Sequence, residues 1–327
     1  MPTGDHGRRP PAHAGRLRPW ERFTISLVFS VMAAVVIAIM VYGGRTRHPA
    51  GPQVPARPGS PNAARPAVQR TGTGAGRPGG IRPASEAREN QLLAVALAPV
   101  LRHRSGNLAV GVIDSRTEAT AVYHGTRHFH AASIVKADIL AALLLQQQRA
   151  GTPLSAPLRE AAADMIDRNN EYAADVLWDA IGDSDGLRDA NRLLHLSHTT
   201  PGTGIYWGLT STTVGDQLRL LAALTSSSSL LWPSSRSYEL GLMRHVPADQ
   251  AWGVAAAATP GSSPAVKNGW LAGGSDAGWV VNSMGVISRA GHTVLVVVLS
   301  DNQPTESAGI SQDEAAARAA VSAIIRG

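Results

Sequence analysis

The sequence predicts an α+β fold, in which an antiparallel sheet of about five strands is flanked by helices and accompanied by an all-helical part. Apolar stretches with the character of strands lie near both ends of the folded region, and mainly helical patterns lie between them. A last amphipathic pattern near the C-terminus predicts a closing helix. Because strands come from both ends, we expect the sheet to pair early strands with late ones.

Local periodicity and turn residues place the individual elements. The first helix is predicted at 85–97, with Ser85 as a plausible cap, followed by a hairpin of strands 108–114 and 119–124. A buried helix begins near Ser133 and ends before Gly151. Further helices are predicted at 157–166, 171–181, 186–194, 214–224 and 238–244. The late strands are predicted at 264–271, 278–288 and 292–300, and the closing helix at 312–325.

Charge is distributed unevenly along the chain. Residues 1–84 contain 12 arginines and two carboxylates, whereas residues 85–327 contain 18 basic and 22 acidic residues. The basic balance therefore belongs to the N-terminal segment, and no nucleic-acid partner is predicted for the folded part. The chain has no cysteine, which excludes disulfides and thiolate metal sites.

The N-terminal segment predicts attachment to a membrane. Residues 24–42 contain no charge, proline or glycine and are long enough to span a bilayer. The arginines before them favour a cytoplasmic basic tail at 1–23, an uncleaved signal anchor at 24–42 and an extracytoplasmic remainder. Residues 43–86 form a Pro/Gly/Arg-rich linker that is expected to be disordered, and 87–327 form the folded domain. The alternative is a cleaved signal peptide and a secreted protein.

Ser133 and Lys136 form the central motif of the chain. Only two of the 30 basic residues are lysines, Lys136 and Lys267, so we expect both to fill roles that arginine cannot. Arginine keeps its proton in proteins, whereas a desolvated lysine can lose it. Residues three apart share a helix face, so a neutral Lys136 is expected within hydrogen-bonding reach of the Ser133 hydroxyl, while Lys267 is expected to be charged. The plainer alternative is a serine N-cap followed by an incidental lysine.

The order of elements and the two lysine motifs resemble those of the β-lactamase and penicillin-binding serine hydrolases. More narrowly, they are similar to the actinobacterial serine hydrolases related to class A β-lactamases. The resemblance covers residues 87–327 and implies a β-lactamase/transpeptidase-like fold. The stretches that carry it are Ser133-x-x-Lys136, residues 165–178, residues 206–210, Lys267-Asn268-Gly269-Trp270 and residues 278–283.

This resemblance implies a role for each motif residue. Ser133 would be the nucleophile, Lys136 its base and Lys267 the group that attracts a substrate carboxylate. The backbone N–H groups of Ser133 and Trp270 would form the oxyanion hole. The remaining substrate-binding positions implied on the late strand are Asn268 and Gly269, the glycine because it lets the strand approach the ligand.

The second motif of the family departs from its usual form. Ser-Asp-Asn is replaced here by Asn169-Asn170-Glu171. In the family the first position relays a proton to the leaving amine, which Asn169 cannot do in that way. The third position donates an amide N–H, whereas an ionised Glu171 can only accept. An alternative is that Asn169 or Asn170 merely caps the next helix.

A second departure concerns deacylation. Class A β-lactamases carry a loop glutamate that activates the deacylating water. No carboxylate occurs between Asn191 and Gly215 in this chain, and residues 201–208 occupy the corresponding loop. Slow hydrolysis of an acyl-enzyme is therefore expected. Tyr206 and Trp207 are expected either to line the cleft or to pack in the interior.

Together the sequence predicts a membrane-anchored, extracytoplasmic serine hydrolase that forms an acyl-enzyme with amides or β-lactams and is a poor β-lactamase. Its expected partner is a small-molecule or peptidoglycan-peptide substrate, and no cofactor is predicted. His124, His128 and His130 lie close in sequence, but no carboxylate pattern completes a metal site, so no metal is predicted. The altered second motif leaves open a catalytically impaired cell-wall-binding module that keeps the fold.

Removal of the N-terminal segment tests the predicted organisation. We expect residues 85–327 and residues 43–327 to melt at the same temperature, because the composition of the linker supports no hydrophobic core. Thermal denaturation of the two purified fragments measures this. A large loss of melting temperature on removing residues 43–84 would show that the linker packs on the domain.

Overall fold

The computed structural model describes residues 83–103, 105–273 and 277–325, which form eight α-helices and seven β-strands. The predicted basic tail at 1–23, the predicted anchor at 24–42 and most of the predicted linker at 43–86 lie outside the described residues. Within the described residues, no helix combines the length and the apolar character needed to cross a membrane.

Strands lie near both ends of the described chain, and mainly helices lie between them, as the sequence predicts. The helices are α1 (Pro83–His103), α2 (Val135–Ala150), α3 (Ala156–Asp167), α4 (Glu171–Ile181), α5 (Asp183–Leu193), α6 (Val214–Thr225), α7 (Pro233–Met243) and α8 (Glu306–Ile324). The strands are β1 (Asn107–Asp114), β2 (Thr120–Tyr123), β3 (Phe129–His130), β4 (Ser211–Thr212), β5 (Ala265–Ala272), β6 (Trp279–Arg289) and β7 (His292–Gln303). Short 3-10 turns lie at Ala132–Ile134, Trp207–Leu209, Ala248–Gln250 and Gly253–Ala257.

Five strands form one antiparallel sheet in the order β2-β1-β7-β6-β5. The early hairpin therefore joins the late strands through the β1–β7 pair, as the sequence predicts. Strand β5, which carries Lys267, lies at the edge of the sheet. The two-residue strands β3 and β4 pair with each other in a separate small sheet, which the sequence analysis missed because neither is long enough to show a period.

Each face of the sheet packs against a different set of helices. Along β7, Val296 and Val298 join a core with α1 and α8, whereas Val297 and Leu299 join a core with α2 and the helical block. Strand β7 is therefore covered on both sides, which explains its continuous apolar sequence. Helix α2 is buried along its first eleven residues, from Val135 to Leu145, and so forms the centre of the second core.

Two helix boundaries differ from the prediction by six residues, and helix α7 begins at Pro233, five residues before its predicted start. Helix α1 continues to His103, although Pro99 removes one backbone donor and favours an earlier end. Helix α8 begins at Glu306, six residues before the predicted start. The Thr305 hydroxyl accepts a hydrogen bond from the N–H of Ala308 at 3.1 Å and caps this polar first turn, which the apolar pattern does not reveal.

Buried carboxyl groups lie between α2, α6 and α7. Asp138 of α2 is almost fully buried, and the side-chain amide of Gln217 donates to its two oxygens at 3.2 and 3.4 Å. Burial raises the pKa of Asp138 to about 7, and the nearby Asp216 carboxylate adds to this effect. Burial also raises the pKa of Glu239 on α7, and the charge of Asp138 contributes in the same direction. Both groups therefore favour the neutral form in the folded protein.

The Asp138 carboxyl predicts a pH dependence of stability. Its folded-state pKa lies above the ordinary value of 3.8, so the folded protein binds more protons than the unfolded chain between the two values. Stability should then fall as the pH rises through this window. The asparagine of Asp138→Asn does not titrate, so the stability of this variant should depend less on pH. At alkaline pH its free energy of unfolding should exceed that of the wild type by up to about 4 kcal/mol.

Urea denaturation at about pH 5 and about pH 8 measures this slope. Asp179→Asn, on the exposed side of α4, is the control and should leave the slope unchanged. Equal destabilisation of Asp138→Asn at both pH values would contradict a neutral Asp138.

Candidate active site

Ser133 lies in the 3-10 turn that leads into α2, and only 7% of its surface is exposed. The preceding residue, Ala132, has a φ of 50°. This left-handed conformation costs an L-residue other than glycine roughly 1–2 kcal/mol. A strained residue next to a candidate nucleophile persists only when its surroundings fix it.

Hydrogen bonds hold the backbone just before Ser133 from two sides. The Asn282 amide, from the middle of β6, donates to the carbonyl oxygens of His130 and Ala131 at 2.8 and 3.0 Å. On the other side the N–H of Ala131 donates to the Thr210 carbonyl at 2.8 Å. These bonds fix the path of the turn. The sequence analysis gave Asn282 no role of its own, although a polar residue within an apolar strand was a usable signal.

Strand β5 passes very close to the serine turn. A Cβ atom added at Gly269 would lie 2.6 Å from the backbone nitrogens of both Ser133 and Ile134, which is closer than real Cβ contacts allow. Only glycine permits this approach. It brings the backbone on either side of Gly269 beside the N–H of Ser133, a placement compatible with the oxyanion hole of Ser133 and Trp270 that the resemblance implies.

The Lys136 ammonium is enclosed by three acceptors. Its Nζ donates to the Asn169 carbonyl oxygen at 2.7 Å, to Asn169 Oδ1 at 3.0 Å and to Glu171 Oε1 at 2.6 Å. An ammonium has three protons, so these contacts use all of them. Among the described residues none forms a hydrogen bond with the Ser133 hydroxyl, so the predicted Ser133–Lys136 hydrogen bond is not present. The three acceptors suit an ammonium, whereas burial lowers the pKa of Lys136, so the neutral Lys136 stays a prediction.

Lys267 is the more strongly perturbed lysine. It is 1% exposed, and its Nζ donates to Asn169 Oδ1 and to the Asn268 carbonyl oxygen, both at 2.9 Å. Burial holds the pKa of Lys267 well below its usual range, and the charge of Lys136 lowers it further. Burial also lowers the pKa of Lys136, but the Glu171 carboxylate acts in the opposite direction. Burial thus favours the neutral form of both lysines, and the Glu171 carboxylate opposes this effect at Lys136, with which it is in direct contact. The direction at Lys136 agrees with the prediction, and the direction at Lys267 is opposite to it.

The second motif contributes two groups to this cluster. Asn169 has a left-handed backbone, with a φ of 55°, and both of its oxygens face a lysine. Glu171 is the first residue of α4, and 68% of its side chain is exposed. The alternative capping role belongs to Asn170, whose side chain accepts from the N–H of Ala173 at 2.9 Å. Asn169 itself is not the cap.

Asn268 has a structural role in the described contacts. Its amide donates to the carbonyl oxygens of Gln250 and Trp252, and its Oδ1 accepts from the Ser283 hydroxyl at 2.6 Å. Only 2% of the residue is exposed. The side chain therefore holds β5 to the neighbouring segment, and the implied part of Asn268 in substrate binding stays a prediction.

The loop at 201–208 presents an aromatic ring to the cluster. The Trp207 ring centre lies 5.1 Å from Lys136 Nζ, and its indole N–H donates to Asp175 at 2.8 Å. Trp207 is 5% exposed, so it packs in the interior, whereas Tyr206 at 36% reaches the surface. The position of Trp207 over Lys136 was not predicted, because the sequence does not show which side chain of the loop turns inward.

The family of this chain follows from a direct comparison. A family model for the β-lactamase enzyme family matches residues 145–326, which is more than half of the chain. The chain belongs to this family. The match begins within α2, after Lys136, so it includes neither Ser133 nor Lys136. No curated protein matches the chain.

The chain is similar to solved structures of class A β-lactamases and of the protein PBP-A. A class A β-lactamase from Bacteroides cellulosilyticus superposes with a TM-score of 0.63 at 14% identity, covering 72% of this chain and 98% of that chain. An ancestral class A β-lactamase superposes with a TM-score of 0.61 at 21% identity, covering 71% of this chain and 99% of that chain. The protein PBP-A superposes with a TM-score of 0.60 at 19% identity, covering 70% of this chain and 94% of that chain. These likenesses confirm the predicted fold.

The close approach of β5 to the serine turn can be tested by substitution. Gly269→Ala places a Cβ against the backbone of Ser133, so it should lower the free energy of unfolding by about 1–3 kcal/mol. The matched control is Gly241→Ala on α7, where a Cβ meets nothing within 4 Å. That helix position should gain about 0.5–1 kcal/mol. Urea denaturation measures both; equal stabilities of the two variants would mean that β5 does not approach Ser133.

Proposed function

We propose that this β-lactamase family member is a serine hydrolase that forms an acyl-enzyme on Ser133 with amides or β-lactams. The observation that carries the proposal is the cluster around Asn169, whose Oδ1 accepts from both Lys136 Nζ at 3.0 Å and Lys267 Nζ at 2.9 Å. One lysine is a helical turn from Ser133, and the other is on the strand that Gly269 brings against it. Family membership supports the same chemistry.

The proposed reaction uses these groups in order. Ser133 Oγ attacks the carbonyl carbon while its proton moves toward Lys136, and the N–H groups of Ser133 and Trp270 receive the oxyanion. The carbon–nitrogen bond then breaks, the leaving nitrogen takes up the proton, and an ester on Ser133 remains. Lys136 first has to release a proton, because its three protons are committed to acceptors in the free protein.

Substrates with a carboxylate near the scissile bond suit Lys267. Lys267 Nζ donates to two acceptors in the free protein. When the amine is protonated it has a third N–H, which could donate to the carboxylate of a bound ligand. A nearby negative charge raises the pKa of a lysine, which favours this protonation. Penicillins and peptides ending in D-Ala-D-Ala have such a carboxylate. A mutant of PBP-A has been solved as an acyl-enzyme complex with penicillin G, and PBP-A shares this fold.

We further propose that the site acts outside the cytoplasm on cell-wall peptides. The support is the uncharged segment at 24–42 and the basic residues that precede it. The loop at 201–208 supplies no carboxylate, which supports slow hydrolysis and a poor β-lactamase.

One observation favours a second candidate, a binding module that has kept the fold without turnover. The Ser133 hydroxyl has no hydrogen bond to Lys136, whose donors are saturated elsewhere. A serine without a base is a weak nucleophile. The module would still offer two lysines to an anionic cell-wall peptide.

Incubation with a penicillin separates these two functions. We expect a covalent adduct on residues 85–327, visible by intact-mass spectrometry, because the lactam carbonyl is strained and its carboxylate can meet Lys267. The adduct should decay slowly compared with that of a class A β-lactamase, since the loop at 201–208 lacks the carboxylate that activates water there and this task falls to a residue outside the loop.

Ser133→Ala is the control and should abolish the adduct. The absence of both adduct and turnover with penicillins, simple esters and D-Ala-D-Ala peptides would reject the hydrolase and favour the binding module.

A further inference from the structure

We propose that Glu171 is the general base of this site. It would accept a proton through Lys136 during acylation and would activate the water that hydrolyses the acyl-enzyme. The inference rests on the proposed function and adds a residue to it. Glu171 stands where the resemblance implies an amide that binds substrate, so a carboxylate here changes the chemistry available to the site.

The contact with Lys136 is the first support. Glu171 Oε1 lies 2.6 Å from Lys136 Nζ, and no other carboxylate among the described residues hydrogen-bonds to that nitrogen. Lys136 cannot accept the Ser133 proton until it gives one up. Its other two acceptors, both on Asn169, are amide oxygens and far weaker bases than a carboxylate. The proton therefore goes to Glu171.

The exposure of the two partners is the second support. The Lys136 side chain is 0% exposed, whereas that of Glu171 is 68% exposed. Glu171 Oε1 faces the buried amine, and Oε2 forms no hydrogen bond with any described residue. The carboxylate thus joins the buried motif to solvent, and its second oxygen can bind a water molecule.

The competing carboxylate is Asp175, one turn further along α4. One of its oxygens accepts the Trp207 indole N–H, and it has no hydrogen bond to Lys136. The loop from 192 to 214 has no carboxylate at all. Of the acidic groups around Lys136, Glu171 alone combines direct contact with access to water.

The proposed proton transfers balance. In acylation the Ser133 proton moves to Lys136 as Lys136 passes one to Glu171, and the same path returns a proton to the leaving nitrogen when the carbon–nitrogen bond breaks. In deacylation Glu171 takes a proton from water, and the hydroxide attacks the ester carbon. The bond from that carbon to Ser133 Oγ then breaks, and Oγ receives the proton back. The products are the free serine and a carboxylic acid.

The test compares acylation and deacylation in variants of position 171. Glu171→Gln keeps an oxygen for Lys136 Nζ but removes the base, so the penicillin adduct should persist about 100-fold longer or more. Glu171→Asp keeps a carboxylate and should recover part of the rate. Asp175→Asn is the matched control, since it keeps an oxygen for Trp207, and it should decay like the wild type. Adduct lifetimes come from intact mass against time after removal of free penicillin.

A pH series distinguishes a base from a residue that only positions Lys136. The deacylation rate of the wild type should fall at acid pH as the carboxylate is protonated, and Glu171→Gln should lose this limb. A Glu171→Gln adduct that decays at the wild-type rate, or that decays slowly with the acid limb unchanged, would overturn the inference while leaving the Ser133 adduct and the proposed function intact. No adduct in the wild type with any acyl donor would overturn both.

Discussion

The site depends on one shared acceptor. Asn169 Oδ1 accepts from Lys136 Nζ at 3.0 Å and from Lys267 Nζ at 2.9 Å. The two nitrogens therefore lie at most about 6 Å apart, where two buried positive charges repel strongly. The Glu171 carboxylate pairs directly with Lys136 and opposes the effect of burial on the pKa of that lysine. The low pKa of Lys267 follows from burial and from this neighbouring ammonium.

The two lysines come from different elements, Lys136 from helix α2 and Lys267 from strand β5, and both elements are held firmly in place. Helix α2 is buried along most of its length, so Lys136 cannot move outward to solvent. Strand β5 is at the sheet edge, but Asn268 ties it to Ser283 on β6, and the close approach at Gly269 places it against the serine turn. Two residues of the site, Ala132 and Asn169, have left-handed backbones that such a scaffold has to hold in place. Strain is therefore located where the candidate nucleophile and the shared acceptor lie.

The sequence predicts the architecture better than the site. Periodicity shows the strands and most helices, and the scarcity of lysine identifies Lys136 and Lys267 as the residues of interest. The strong lowering of the Lys267 pKa was not predicted, because it depends on burial and on the nearby Lys136 in three dimensions. The inward turn of Trp207 and the anchoring by Asn282 depend likewise on contacts between distant parts of the chain. Caps such as Thr305 are local, yet the apolar pattern does not mark them.

A carboxylate at position 171 changes the charge balance of the whole cluster. In the free protein the Lys136 ammonium and the Glu171 carboxylate neutralise each other, and Lys267 favours the uncharged form. An anionic ligand beside Lys267 adds a negative charge and raises the pKa of that amine. Binding of an anion therefore favours the protonated form of Lys267, since it opposes the effect of burial on that amine. The same residue that pairs with Lys136 thus leaves Lys267 ready to be charged by its ligand, so a single change in the second motif links recognition of an anion to the proton chemistry at Ser133.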